Sequence, residues 1–180
     1  LRMLDLTSNK VGDSGARALA GALASNATLT WLGLAYNNVR GGGVRALADA
    51  LHTSSSLACL DLRHNLAGDD GACALAGALK VNSSLTALRL CDSGLGDAGA
   101  RALAEALVVN PSLTSLDLAY NKVANDGACA IADALTSNLS LTALDIDEKY
   151  VSLDVRLAVV SLLSRNTQFA HSTFAALRTA

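Results

Sequence analysis

The chain has 180 residues, a net charge of −2, a hydrophobic share of 51%, only 3% aromatics and a single proline. That near-neutral balance gives no reason to expect nucleic acid or an anionic membrane as partner. No apolar run approaches the ~20 residues of a membrane span, so membrane insertion is not expected either. Leu and Ala carry the apolar share, which points to aliphatic layers repeated many times.

Leu1 opens the pattern Leu1/Leu4/Leu6, followed three residues on by Asn9. The alternation of Leu4 and Leu6 with polar or small residues predicts a short strand with both leucines inward. Asn9 offers its amide to backbone groups of the turn that leaves the strand. Asp13 then stands where a helix N-cap is wanted, two residues before Gly15. Ala18, Leu19, Ala22 and Leu23 mark the buried face of the helix that follows. The whole unit then recurs with an unbroken period of 28. Leu29/Leu32/Leu34 with Asn37 form the second copy, in which Gly41–Gly43 replace the capping turn. Leu57/Leu60/Leu62 with Asn65, Asp69 and Gly71 form the third. The fourth, Leu85/Leu88/Leu90, departs at Ser93-Gly94 before Asp97 and Gly99, a drift in one turn. Leu113/Leu116/Leu118 with Asn121, Asn125 and Gly127 form the fifth. The sixth, Leu141/Leu144/Ile146, carries Lys149 for Asn, Val155 for the helix glycine and Arg156 after it. A seventh strand would begin at Phe169, but Ser172 and Phe174 only half fit. The alanine row at 18, 46, 74, 102, 130 and 158 allows neighbouring helices to pack closely.

Strand and helix in every copy predict an α/β solenoid with a parallel sheet on one face and parallel helices on the other. Strands sit ~4.8 Å apart and packed helices ~8–10 Å, so the stack bends toward its strands. The expected shape is a horseshoe arc with a concave β face and a convex α face. Residues 1–165 are expected to form six repeats starting at 1, 29, 57, 85, 113 and 141. Residues 166–180 would be a C-terminal cap or a partly ordered tail. Leu1 already belongs to a repeat, so the expectation is a fragment of a longer protein, with further repeats or domains before it.

The pattern Leu-x-x-Leu-x-Leu-x-x-Asn is the signature of leucine-rich repeats. Asn-x-x-Gly-Asp-x-Gly-Ala-x-Ala-Leu-Ala, as in residues 9–20, resembles the ribonuclease-inhibitor-like subfamily. That subfamily includes ribonuclease inhibitor, the sensor regions of NOD-like receptors and the Ran GTPase-activating protein. The resemblance implies a protein-binding scaffold that is not an enzyme. Two alternatives stand beside it. One is a GTPase-activating protein of the Ran-activator type, for which no residue here matches a catalytic motif. The other is an architectural subunit that uses its helices or solenoid ends.

Outward strand positions fall in rows: Met3, Trp31, Cys59, Ala87, Ser115, Ala143, and Asp5, Gly33, Asp61, Arg89, Asp117, Asp145. Two further rows are Thr7, Ala35, Arg63, Cys91, Ala119, Asp147, and Ser8, Tyr36, His64, Asp92, Tyr120, Glu148. These vary while the buried positions barely do, as expected of a scaffold adapted to a partner. The residues expected to bind a protein partner are Trp31, Tyr36, Asp61, Arg63, His64, Arg89, Asp117, Tyr120 and Asp145. Trp31 is the leading anchor, since Trp, Tyr and Arg dominate interface energetics; lying flat over a strand is its bland role. Arg63, His64 and Arg89 form a basic island that could orient a partner. Asp117 and Asp145, in register at ~5 Å, suit an acidic patch for a basic partner better than a cation site. No catalytic residue, metal site or cofactor is expected.

The four cysteines are read as free thiols. Cys73 and Cys129 share a helix position two repeats apart, ~16–20 Å, and Cys59 and Cys91 are offset along adjacent strands. Free thiols suggest a reducing, cytoplasmic compartment. The sequons at Asn26, Asn82 and Asn138 recur at one repeat position, which repetition alone explains.

Overall fold

The computed structural model describes the backbone of residues 1–179 and the side chains of residues 1–171. Strands β1 (Met3–Asp5), β2 (Trp31–Gly33), β3 (Cys59–Asp61), β4 (Ala87–Arg89), β5 (Ser115–Asp117) and β6 (Ala143–Asp145) pair in sequence order as one parallel sheet. Helices α1 (Gly12–Ser25), α2 (Gly41–Leu51), α3 (Gly68–Leu79), α4 (Asp97–Val109), α5 (Asn125–Ser137) and α6 (Leu153–Thr179) alternate with them. A single 3₁₀ turn, Glu148–Tyr150, precedes α6. Every strand pairs with its neighbour at an offset of 28, so Leu32, Leu60, Leu88 and Leu116 stack in one buried row. No helix among the described residues is long and apolar enough to cross a membrane.

The helix positions that lie deepest differ from the expected set. Ala16, Val44, Ala72, Ala100 and Ala128 are fully buried, whereas the alanine row at 46, 74, 102 and 130 is only half-buried. Ala18 and Ala22 are exposed in α1, while the later counterparts of Ala22, namely Ala50, Ala78, Ala106 and Ala134, are buried. The row that begins at Ala22 faces the preceding helix, which α1 lacks in this chain.

The aspartates also act differently from the N-caps expected of them. Asp69 does not cap its own helix; its Oδ1 accepts Gly96 N–H at 2.8 Å and Gly99 N–H at 2.9 Å, at the start of α4. Asp97 does the same for Ala124 and Gly127 of the fifth repeat, and Asp13 for Arg40 and Gly43 of the second. Asn125 reaches Ser152 in the sixth. Each carboxylate satisfies two orphan N–H groups and sits at the positive end of the next helix dipole. This explains the helix glycine: a Cβ on Gly99 would stand 2.7 Å from Asp69 Oδ1, and one on Gly127 2.7 Å from Asp97 Oδ1. The Asp and the Gly are one device split between two repeats.

Two asparagine ladders close the turns. At the strand exits, Asn65 Nδ2 donates to Leu34 O (2.8 Å) and Leu62 O (3.0 Å), and its Oδ1 accepts Asn37 N–H and Val39 N–H. Asn121 repeats this, and Ser93 keeps only the donor half, to Leu62 O and Cys91 O. At the strand entries, Asn82, Asn110 and Asn138 each donate to two carbonyls of the preceding repeat and accept two local N–H groups. The near-complete burial of Asn82 and Asn138 explains two of the three sequons structurally, their amide nitrogens being committed to the ladder, whereas Asn26 in the first repeat is exposed. Ser54 interrupts this row, and its buried hydroxyl has no partner.

No strand begins at Phe169, because α6 runs through it without a break. Asn166, which holds the entry-ladder position of this last unit, still donates to Asn138 O and Leu141 O from within the helix. The side chains of Ser172 and Phe174 lie outside the described residues.

Candidate functional site

The outward strand positions line up as registered rows, so the variable side chains form one continuous surface. Trp31 is half-buried and lies over its own strand: a Cβ on Gly33 would meet the indole ring at 2.2 Å. Gly33 is therefore the seat of the tryptophan. The indole also reaches the thiol of Cys59 on the next strand, whose pKa is raised mainly by burial.

Asp61 is 2% exposed, too deep to meet a partner itself. It receives Arg63 through Nε at 3.0 Å and a terminal nitrogen at 2.7 Å, and Arg89 approaches at 3.6 Å. Two guanidiniums over one buried carboxylate are held in place at little entropic cost, with the arginines still partly exposed. Cys91 lies beside them, its thiol pushed up by burial and then by Asp117 and Asp92. Asp117 pairs in register with Asp145. Asp117 Oδ1 accepts the N–H of Ala119 at 3.1 Å, as Asp5 and Asp61 do for Thr7 and Arg63. Among the described residues no group of three or more His, Cys, Asp or Glu could hold a metal.

A second line of side chains follows the strand exits. Ser8, Tyr36, His64, Asp92 and Tyr120, each just before the ladder residue, all have left-handed backbones, φ 48–59°. That conformation turns the chain off the strand and drives the following Asn inward. It also throws the preceding side chain onto the rim. There Tyr36 and His64 stack with ring centroids 4.0 Å apart, and His64 Nδ1 lies 3.0 Å from Asp92 Oδ2. Farther along, His64, Asp92, Tyr120, Lys122, Asp147 and Tyr150 border an open groove of about 400 Å³.

The structure thus gathers Asp61, Arg63 and Arg89 in one cluster and Tyr36, His64 and Tyr120 along one rim; Trp31 lies at the far side of the cluster. Sequence reasoning missed the roles of Asp92, Lys122, Asp147 and Tyr150. Asp92 and Asp147 stood in the written rows, but nothing in the repeat marks Tyr150, which follows the break at Lys149.

The sequence pattern described as Leucine Rich repeat matches residues 1–20, 25–48, 81–104 and 109–132, more than half of the chain. No match to this chain was found among curated proteins. Among solved structures, "Leiomodin-1 Actin-Binding Site 2 (ABS2)" is similar with TM-score 0.70 and 25% identity, over 76% of this chain and 79% of that one. The C-terminal domain of Caenorhabditis elegans tropomodulin is similar with TM-score 0.70 and 16% identity, over 98% of this chain and 90% of that one, a likeness of fold.

Proposed function

Because the chain belongs to the leucine-rich-repeat family, we propose that it is a protein-interaction module whose partner lies on the concave strand face and its exit rim. One observation carries this reading. The buried positions repeat almost unchanged, while the outward rows change composition from repeat to repeat, and several of their side chains are nonetheless clamped to the scaffold. Trp31 rests on Gly33, Arg63 is forked onto Asp61, and Tyr36 is stacked on His64. Rigid aromatic and arginine side chains lose little entropy on binding, which is what anchors require. The Asp-to-Gly clamp across repeats gives a physical reason for the Asn-x-x-Gly-Asp-x-Gly-Ala pattern and supports the ribonuclease-inhibitor-like subfamily. Four cysteines outside any disulfide support a reducing compartment.

The likeness to an actin-binding site of leiomodin-1 makes actin the first partner to try. The test is co-sedimentation with actin filaments, and affinity capture from lysate, by the chain and by a Trp31→Ala/Arg89→Glu double variant. Capture that falls at least tenfold in the variant, with unchanged thermal unfolding, supports the strand face. Equal capture by both proteins would move the interface to the helices or the ends.

A further inference from the structure

Resting on the reading that the strand face binds a protein, we propose that the groove at the C-terminal end of the exit rim receives an arginine side chain of that partner.

The groove opens between Tyr120, on the turn after β5, and Tyr150, in the 3₁₀ turn after β6. Both rings face solvent, Tyr120 at 73% exposure and Tyr150 at 46%. Asp92 and Asp147 supply carboxylates to the same space, against the ammonium of Lys122 in its lining and that of Lys149 over the Tyr150 ring. Asp147 has no ion pair among the described residues, and Asp92 is engaged only by His64. The surroundings share this sign: residues 113–150 hold six acidic residues and two lysines, whereas residues 1–56 hold five basic and three acidic. A cationic segment is therefore drawn to this end of the face.

The chain already makes both halves of the proposed contact with its own side chains. Lys149 holds its ammonium 5.1 Å from the centroid of Tyr150, a cation over a ring face. Arg63 meets Asp61 as a fork. The groove lining brings both kinds of group to one place: the exposed Tyr120 ring for a planar guanidinium to lie on, and the Asp92 and Asp147 carboxylates to accept its N–H groups. Lysine matches this less well, because its ammonium is compact, strongly hydrated and cannot stack.

The test is an NMR amide-shift titration of the whole chain at low salt, where screening is weak. The probe is a capped Gly-Ser-Arg-Ser-Gly peptide, with lysine or citrulline in place of arginine as controls. The arginine peptide is expected to shift the amides around Asp92, Lys122 and Asp147 saturably. The lysine peptide should bind at least fivefold more weakly and the citrulline peptide not at all. Tyr120→Ala and Asp147→Asn should each weaken binding at least fivefold, with folding verified in the same spectra. Equal response to lysine, shifts spread to distant acids such as Asp126 and Asp133, or indifference to both variants would overturn the proposal. If Trp31→Ala/Arg89→Glu loses partner capture while the groove ignores the peptide, the groove alone fails. If the groove takes arginine while that variant keeps full capture, the strand-face reading alone fails.

Discussion

The two sides of the sheet solve the same backbone problem and differ in what they show to solvent. Where strands begin, the same cross-repeat bonds recur from unit to unit, apart from the gap at Ser54. Asn82, Asn110 and Asn138 donate to preceding carbonyls, and Thr86, Thr114 and Thr142 hydroxyls to Ala58, Thr86 and Thr114 carbonyls. Where strands end, the ladder of Asn37, Asn65 and Asn121 is regular inside but for Ser93, whereas the rim above it changes from repeat to repeat, with only Tyr36 and Tyr120 alike. A ring stack joins repeats two and three, and an imidazole–carboxylate contact joins three and four. Identical contacts mark scaffold, since any repeat could supply them. Contacts that differ at each junction mark a surface adapted to something outside the chain.

The sharpest way to break this comparison is to remove a rung on the regular side. Asn110→Ala leaves the carbonyls of Leu79 and Asn82 and the N–H groups of Ser112 and Leu113 without their partner. A loss of about 3–4 kcal/mol in urea unfolding is expected, because buried unsatisfied groups cost most. Gly99→Ala is expected to cost about 2–3 kcal/mol by the same measurement. Its Cβ would displace the Asp69 carboxylate and crowd Ala72 at 2.9 Å, combining overpacking with loss of a cap. Ser54→Asn repairs the gap in the entry row and should raise stability by about 1 kcal/mol, seen as a higher urea midpoint. On the rim, removing a side chain should have a small effect, opposite in sense to the loss of Asn110. Tyr120→Gly relieves a left-handed backbone under an exposed side chain, and a gain of about 0.5 kcal/mol is expected, with partner binding reduced.

Much of the fold was legible because leucine spacing is a local property of the chain. Leu29, Leu32 and Leu34 dictate a strand, and the alanine-rich stretch after Gly15 dictates a helix, whatever lies beside them. The aspartates were placed correctly at helix starts but matched to the wrong helices, since the N–H donors that Asp69 accepts from lie 27 and 30 residues on. Phe169 misled for the related reason that one residue in register does not make a strand; the helix of which it is part continues past it. Of the surface, the rows were readable by parity alone. The pairings within them were not, because Tyr36 meets His64, and His64 meets Asp92, only when turns 28 residues apart are stacked.

The period of 28 residues thus sets strand, turn and helix, the parallel order of the sheet and which positions face inward, for these follow from backbone periodicity and burial. Stacking alone decided that Asp69 caps α4, that Asp61 lies beneath the guanidinium of Arg89 as well as that of Arg63, and that Tyr120 and Tyr150 face one groove. Those contacts join residues from different repeats or from the irregular turn after β6. Their geometry depends on the rise and twist between neighbouring units, which no single repeat encodes.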